Sequence, residues 1–371
     1  MKNWLLVLLT FWVITSYQAK AKNELEISSH TIDSKQANAS LKFKVALPWG
    51  YDKNKAYPVL YTTAGGSRFN SLIYQLDWLS HVAMGPMPQF IVVNVPHVTV
   101  PSDMHPKFVA ASGIANELQL TVLAQEVMPY IEKHFLTQGF NLLEGYSSNG
   151  NFVLHTYLAK RALFDGYLVH SPVLELDKSG LVDKLSNLKK INLENTPPLY
   201  LSLGPFTGNK ALYERINHNL KHIPAFKFED LSQHNFLSVA TISMVNSAEW
   251  LFADLSPEVD EFVEGGIASV KRYYKKLTLK YKKAMDSSDT LINLSFYYAN
   301  NDYKNKALNT ISTLVNDHPD NVYYLTRKAL IHKKIGQLTE SKHSFTIAEQ
   351  LATEANDEDA LSYIKGELAK L

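Results

Sequence analysis

Ser147 and His234 are the side chains whose types and settings suit nucleophilic chemistry. A serine hydroxyl attacks a carbonyl when an imidazole within hydrogen-bond reach takes its proton. Two N–H donors must also meet the oxyanion that develops. Ser147 stands in Gly145-Tyr146-Ser147-Ser148-Asn149-Gly150, after an apolar run containing Phe140, Leu142 and Leu143. Leu154, Leu158 and Ala162 follow at i, i+4, i+8, a helical spacing. Strand, serine turn and helix make a nucleophile elbow, in which a strained turn lifts the hydroxyl clear of the sheet. Small residues two before and two after the serine let strand and helix approach. Gly145 fits the first position. Asn149 holds the second, and asparagine is the next most tolerant residue for unusual backbone angles. Ser148 as nucleophile would put Tyr146 where a small residue is needed. With Ser147 in the turn, the Ser148 N–H becomes one oxyanion donor.

The second donor is expected from Gly65 or Gly66, in the small-residue loop Thr62-Thr63-Ala64-Gly65-Gly66-Ser67. His234 is the expected base, because it follows the serine in chain order and falls between the last strand and the last helix. His170, just after another strand, is the rival base or a wall of the substrate pocket. His97 and His105 can reach substrate from a loop. The orienting acid is open. Its usual place follows the strand at 199–203, yet residues 204–210 hold no carboxylate. Glu214, Glu229 and Asp230 are weak candidates, and a Ser–His dyad is the other reading. No H-E-x-x-H, aspartate-rich loop or phosphate-binding glycine loop occurs, so no metal and no cofactor are assigned.

These residues need a scaffold that brings them together. Residues 41–47 alternate apolar and lysine, as a half-exposed strand near a sheet edge, antiparallel to its neighbour, does. Dense apolar strands follow at 57–61, 90–95, 140–143, 164–169, 198–203 and 226–228. Helical patterns lie between them at 72–82, 117–135, 151–162 and 210–220, and a closing helix covers 237–252. Pro129 interrupts the 117–135 helix and is expected to kink or break it. Residues 98–113 read as a loop over the site. Strands alternating with helices predict an α/β fold with a mostly parallel sheet flanked by helices. Sites in such sheets form at the carboxyl ends of strands. Ser147, Gly65, Gly66, His170 and His234 all fall there.

The chain has 371 residues, 46% of them hydrophobic, and a formal net charge of +1. That length supports one large core and a smaller one. The near-neutral charge gives no sign of nucleic-acid binding. Without cysteine there are no disulfides, thiolate nucleophiles or cysteine-ligated metals. Lys2, an apolar run at 5–14 and Ala19-Lys20-Ala21 match a cleavable signal peptide spanning residues 1–21, too short to span a bilayer comfortably. The expected mature protein is periplasmic or secreted, with no membrane span after cleavage.

A catalytic domain is read over 22–256 and a helical domain over 257–371. Within the tail, a 34-residue unit starting at Ser288 puts Leu291, Leu294, Tyr298, Ala307 and Ile311 on tetratricopeptide core positions. A second unit from Val322 does so with Leu325, Ala329, Phe345 and Ala348. Helices near 270–284 and 360–371 are expected to cap the two units.

Several stretches together resemble an esterase family of α/β-hydrolases that includes enterochelin-type siderophore esterases and esterase D. They are YPVLYTTAGG (57–66), MPQFIVVNVPH (87–97), VMPYIEKHF (127–135), GYSSNG (145–150), FDGYLVHSP (164–172) and the histidine-plus-helix segment 234–252. The resemblance implies an α/β-hydrolase fold, Ser147 as nucleophile and His234 as base. Members with a tetratricopeptide-like tail also occur, and GGIASVKRYYKKLTLKY (265–281) resembles their junction. The chain departs from the family at Ala64, where aspartate is usual, at Asn149, where glycine is usual, and at the empty acid position. The expected function is an exported serine esterase acting on a small-molecule carboxylic ester. A weakened esterase-like binding module, whose repeats hold a protein partner, is the alternative. An acyl or mycolyl-type transferase on the same fold is a third reading.

Overall fold

The computed structural model describes residues 25–82, 84–98, 114–177, 179–188, 196–206, 208 and 210–371. The expected signal segment and His105 lie outside them. Compact units divide the chain after Ser247, the second running from Ala248 to Leu371.

The first unit is built on an eight-stranded sheet ordered β1-β2-β4-β3-β5-β6-β7-β8. The expected edge strand is two: β1 (Glu26–Ser34) and β2 (Ala39–Leu47), antiparallel and joined by a short turn. Asn38 takes φ +49° in that turn, so the break rests on one asparagine rather than a glycine or proline signal. β2 pairs antiparallel with β4 (Ile91–Asn94). From there β4, β3 (Tyr57–Thr62), β5 (Thr137–Tyr146), β6 (Gly166–His170), β7 (Leu199–Leu203) and β8 (Phe226–Asp230) are all parallel. Every residue of β3, β6 and β7 is buried, as covered parallel strands require. β1 faces alternate, because only one side of that edge is covered.

Crossover helices are α1 (Gly66–Ser80), α2 (Ile114–Val122), α3 (Met128–His134), α4 (Ser148–Ala159), α5 (Leu181–Ser186), α6 (Lys210–Leu220) and α7 (Phe236–Leu251). Between α2 and α3 the chain makes a π turn, Leu123–Val127, just before Pro129. The proline has no N–H for the i−4 carbonyl, and the wider turn absorbs that loss. On one face of the sheet, Val59, Tyr61, Val93, Leu143, Tyr167, Val169 and Leu201 pack in a single core with α4 through Val153.

The second unit is helical: α8 (Gly266–Tyr281), α9 (Ser288–Asn300), α10 (Lys304–Asp317), α11 (Val322–Lys334), α12 (Leu338–Glu354) and α13 (Glu358–Leu368). Leu291, Leu294, Tyr298, Ala307 and Ile311 share one core with Phe262 and Val270. Leu325, Ala329, Phe345, Ala348 and Ile364 form another. Ser341 Oγ donates to the Ala329 carbonyl at 2.8 Å, pinning α12 to α11.

Candidate active site

The site begins where β5 ends. Ser147 has φ +59° and ψ −132°, a conformation costly for any residue with a side chain. Two things hold it there. Its N–H donates to the His170 carbonyl on β6 at 2.9 Å, and α4 starts at the next residue. Gly145 permits the turn. A Cβ at this position would stand 2.6 Å from both the Asn149 carbonyl oxygen and Val153 Cγ2. Asn149 sits in the first turn of α4 and needs no unusual backbone angle. Its role is a tie instead: Nδ2 donates to the Thr63 carbonyl at 3.1 Å.

β3 and β5 are parallel neighbours, with Thr62 opposite Glu144. The turns leaving them therefore lie side by side. Gly65 caps α1 with φ −113°, and Gly66 opens that helix with φ +53°. The first N–H groups of a helix have no partner within it. The amides of Gly66 and Ser148, the first residues of α1 and α4, thus stand at neighbouring strand ends, with Gly65 beside them.

Ser147 opens on a cavity of about 170 Å3 lined by Ser171, Pro172, Val173, Glu175, Leu203, Phe206, Tyr213 and Phe236. Ser171 also has a positive φ, +46°, so the turns after β5 and β6 both place a serine against the cavity. The Phe206 and Phe236 ring centroids lie 5.1 Å apart. Tyr213 donates its hydroxyl to the Pro172 carbonyl at 2.5 Å, and burial raises its pKa well above the ordinary tyrosine value.

His234 is half-buried in the turn after β8, where its N–H donates to the Leu231 carbonyl at 3.0 Å. Two residues on, Phe236 accepts a hydrogen bond at its carbonyl from the Tyr146 hydroxyl, and the two rings pack at 4.9 Å. The loop bearing His234 is thereby tied to the residue beside Ser147. His170, read from sequence as rival base or pocket wall, is instead fully buried beneath the elbow. Its Nδ1 meets Ser243 Oγ at 2.5 Å and its Nε2 faces Glu144 at 3.8 Å, so neither nitrogen is directed at Ser147. Burial, then the nearby Arg68 charge, holds its pKa well below the ordinary histidine value, and the ring is neutral. His97 is exposed after β4 and is not among the cavity walls.

The acid candidates have other partners. Glu229 accepts from the Tyr200 hydroxyl and from Asn246 Nδ2 at 2.7 Å. Asp230 accepts from the Ser232 N–H and from Lys210 Nζ, each at 3.0 Å, and the Ser232 side chain, followed by these two bonds, holds its carboxyl below the usual range. Glu214 is exposed on α6. The first position after β7 is Gly204, where a Cβ would stand 2.4 Å from Ser171 Oγ, so a larger residue there would require that hydroxyl to move. Among the described residues no cluster of histidine, aspartate and glutamate could hold a metal ion, and no helix is long and apolar enough to cross a membrane.

Sequence reasoning missed a buried polar group under the elbow. Glu144, wholly inaccessible, accepts from the Thr62 hydroxyl and from Arg68 Nη2 at 3.0 Å. Ser202 Oγ extends the group, accepting from Ser243 Oγ at 2.8 Å. The one local signal was a glutamate directly after Leu142-Leu143 in a buried strand.

This strand order, with the elbow serine at the end of β5, defines an α/β-hydrolase. The sequence profile of the Putative esterase family matches residues 34–226, and the chain belongs to that family. Its class of activity is carboxylic ester hydrolysis. Among solved structures, it is similar to an IroE-like serine hydrolase from Shewanella oneidensis. Identity is 20%, coverage is 76% of this chain and 96% of that one, and the TM-score is 0.55. An uncharacterised protein from Capnocytophaga ochracea is 13% identical over 92% of this chain and 100% of its own, with a TM-score of 0.65. The siderophore hydrolase EstB from Aspergillus nidulans is 13% identical over 62% and 97%, with a TM-score of 0.51. At these identities the likeness is one of fold. No curated protein matches the chain in sequence.

Proposed function

We propose that the protein is an exported serine esterase working through an acyl-Ser147 intermediate. His234 takes the Ser147 proton as the hydroxyl attacks the ester carbonyl, and returns it to the leaving alcohol. Water then attacks the acyl carbon and gives its proton to His234, which passes it to Ser147 Oγ as the acyl–serine bond breaks and the carboxylic acid leaves. The Ser148 N–H and a Gly65 or Gly66 N–H hold the oxyanion in both steps. The observation that carries this reading is the strained φ of Ser147 at the mouth of a mostly apolar cavity. A cavity of about 150 Å3 accepts a benzene ring, so 170 Å3 suits a compact substrate group of that size rather than a long acyl chain.

Residues 1–21 direct export to the periplasm or beyond. The helical tail is read as tetratricopeptide-like. Its helix pairs start at Ser288 and Lys304, then at Val322 and Leu338, so both members recur after 34 residues (322 − 288 and 338 − 304). That surface would hold a protein partner.

The test is hydrolysis of p-nitrophenyl esters from acetyl to dodecanoyl, and of phenylacetyl, by protein lacking residues 1–21. Ser147→Ala and His234→Ala run beside it. Turnover lost in both variants, with dodecanoyl the poorest substrate, is the expected result. Unchanged turnover in Ser147→Ala sinks the mechanism. A folded parent with no turnover favours the binding-module reading.

A further inference from the structure

Glu144 has no place in the chemistry just described, yet the chain keeps its carboxylate at zero exposure in a central strand. Such a group is costly unless every lone pair is used. Its bonds lead in one direction. The Thr62 hydroxyl has a single proton and gives it to Glu144 Oε2. That leaves its lone pairs facing the loop, where Thr62 Oγ1 accepts the Ala64 N–H at 3.0 Å. From the other side of the loop, Arg68 in the first turn of α1 reaches back to Glu144 Oε1 at 3.0 Å. The Glu144 backbone carbonyl also accepts the Thr63 N–H at 3.3 Å. The loop carrying Gly65 and Gly66 is thus clamped before and after its glycines to a residue three positions ahead of Ser147. Asn149 to the Thr63 carbonyl and Asn94 to the Ala64 carbonyl complete the fastening.

We propose that Glu144, acting through Thr62 and Arg68, is the positioning residue that sets the oxyanion donors of the Gly65-Gly66 loop against Ser147. The proposal rests on the reading of Ser147 as nucleophile. The carboxylate dictates which way the Thr62 hydroxyl points, and that hydroxyl dictates where the Ala64 amide sits. Two residues further on, the donor N–H inherits the position. A loosened loop still admits substrate but holds the transition state poorly. The signature is therefore a fall in kcat with KM nearly constant.

Thr62→Val keeps the shape and removes the hydroxyl, while Thr62→Ser keeps the hydroxyl. Glu144→Gln keeps the volume and removes the charge. Losing one oxyanion donor outright costs about 10²–10³ in kcat. A displaced donor in Thr62→Val or Glu144→Gln should cost about 10- to 100-fold, with KM within about twofold. Thr62→Ser should recover to within about threefold of the parent, and affinity for a boronic-acid transition-state analogue should fall in step with kcat. Circular dichroism restricts the comparison to folded variants, and Ser147→Ala is the reference. If Ser147→Ala is inactive while folded Thr62→Val and Glu144→Gln keep full kcat, the positioning role is wrong. It is equally wrong if Thr62→Ser loses as much as Thr62→Val, or if only KM changes. A Glu144→Gln that does not fold passes the decision to the Thr62 pair. Activity surviving in Ser147→Ala would instead overturn the nucleophile assignment.

Discussion

Replacing Gly145 by alanine tests the elbow most directly. The added Cβ would lie 2.6 Å from the Asn149 carbonyl oxygen and 2.6 Å from Val153 Cγ2, where ordinary contact begins near 3.4 Å. The valine methyl can be relieved by a rotamer change, but the carbonyl belongs to the first turn of α4. That turn must move by about 0.8 Å, carrying Ser147 and the Ser148 N–H with it. Overpacking of this kind costs about 1–3 kcal/mol. At roughly 2–4 °C per kcal/mol for a unit of this size, the thermal midpoint should fall by about 2–12 °C. Misplacing a reacting group by about 1 Å costs on the order of 10²-fold in rate, so kcat/KM should drop by about that factor. Gly65→Ala is the control. Its Cβ would meet nothing within 4 Å, and φ −113° suits any residue, so the midpoint should stay within about 1 °C. Calorimetry and p-nitrophenyl ester kinetics read both quantities. A Gly145→Ala protein with parental midpoint and rate, or a Gly65→Ala protein equally destabilised, would refute the reasoning.

Tyr146→Phe removes the hydroxyl bond to the Phe236 carbonyl; stability should fall by about 0.5–1.5 kcal/mol. If that bond positions the loop bearing His234, kcat should fall several-fold at constant KM, and an unchanged kcat would show that it does not. His170 is buried and neutral, with a pKa below that of the unfolded chain. The unfolded state therefore takes up a proton first as pH falls through the ordinary histidine range, and stability falls with it. The slope approaches about 1.4 kcal/mol per pH unit for one such proton, present below pH 6.5 and absent above it. Urea unfolding at pH 7 and pH 5 should show this loss, and a His170→Gln variant should lose less between the two pH values; equal losses would exclude His170 as the source. In the helical unit, Phe345 is fully buried, so Phe345→Ala should cost about 3–5 kcal/mol in a denaturant melt. A cost below about 1 kcal/mol would mean that the α11–α12–α13 core does not depend on it.

Features governed by neighbours in sequence were legible. The elbow rests on Gly145 and the switch from strand to helix spacing around Ser147. The π turn is foreshadowed by Pro129, and α6 begins and ends where its amphipathic spacing does. The second edge strand was not legible, because one asparagine at φ +49° makes the turn between β1 and β2. Nor was the role of Asn149. Sequence suggested tolerance of odd backbone angles, whereas the position is ordinary helix and the side chain serves as a tie to Thr63.

Sequence by itself determined which strands are buried on both faces, where each turn leaves the sheet, and therefore that Ser147, Gly65, Gly66 and His234 follow strand ends. These are local consequences of residue period, size and backbone freedom. Tertiary structure alone decided what each titratable group does. Arg68 meets Glu144 across 76 positions, Ser243 meets His170 across 73, and Asn246 meets Glu229 across 17. Whether a histidine faces a cavity or sits neutral beneath it, and whether a glutamate is free or already bonded, depends on desolvation and on partners that only the folded chain brings within 3 Å.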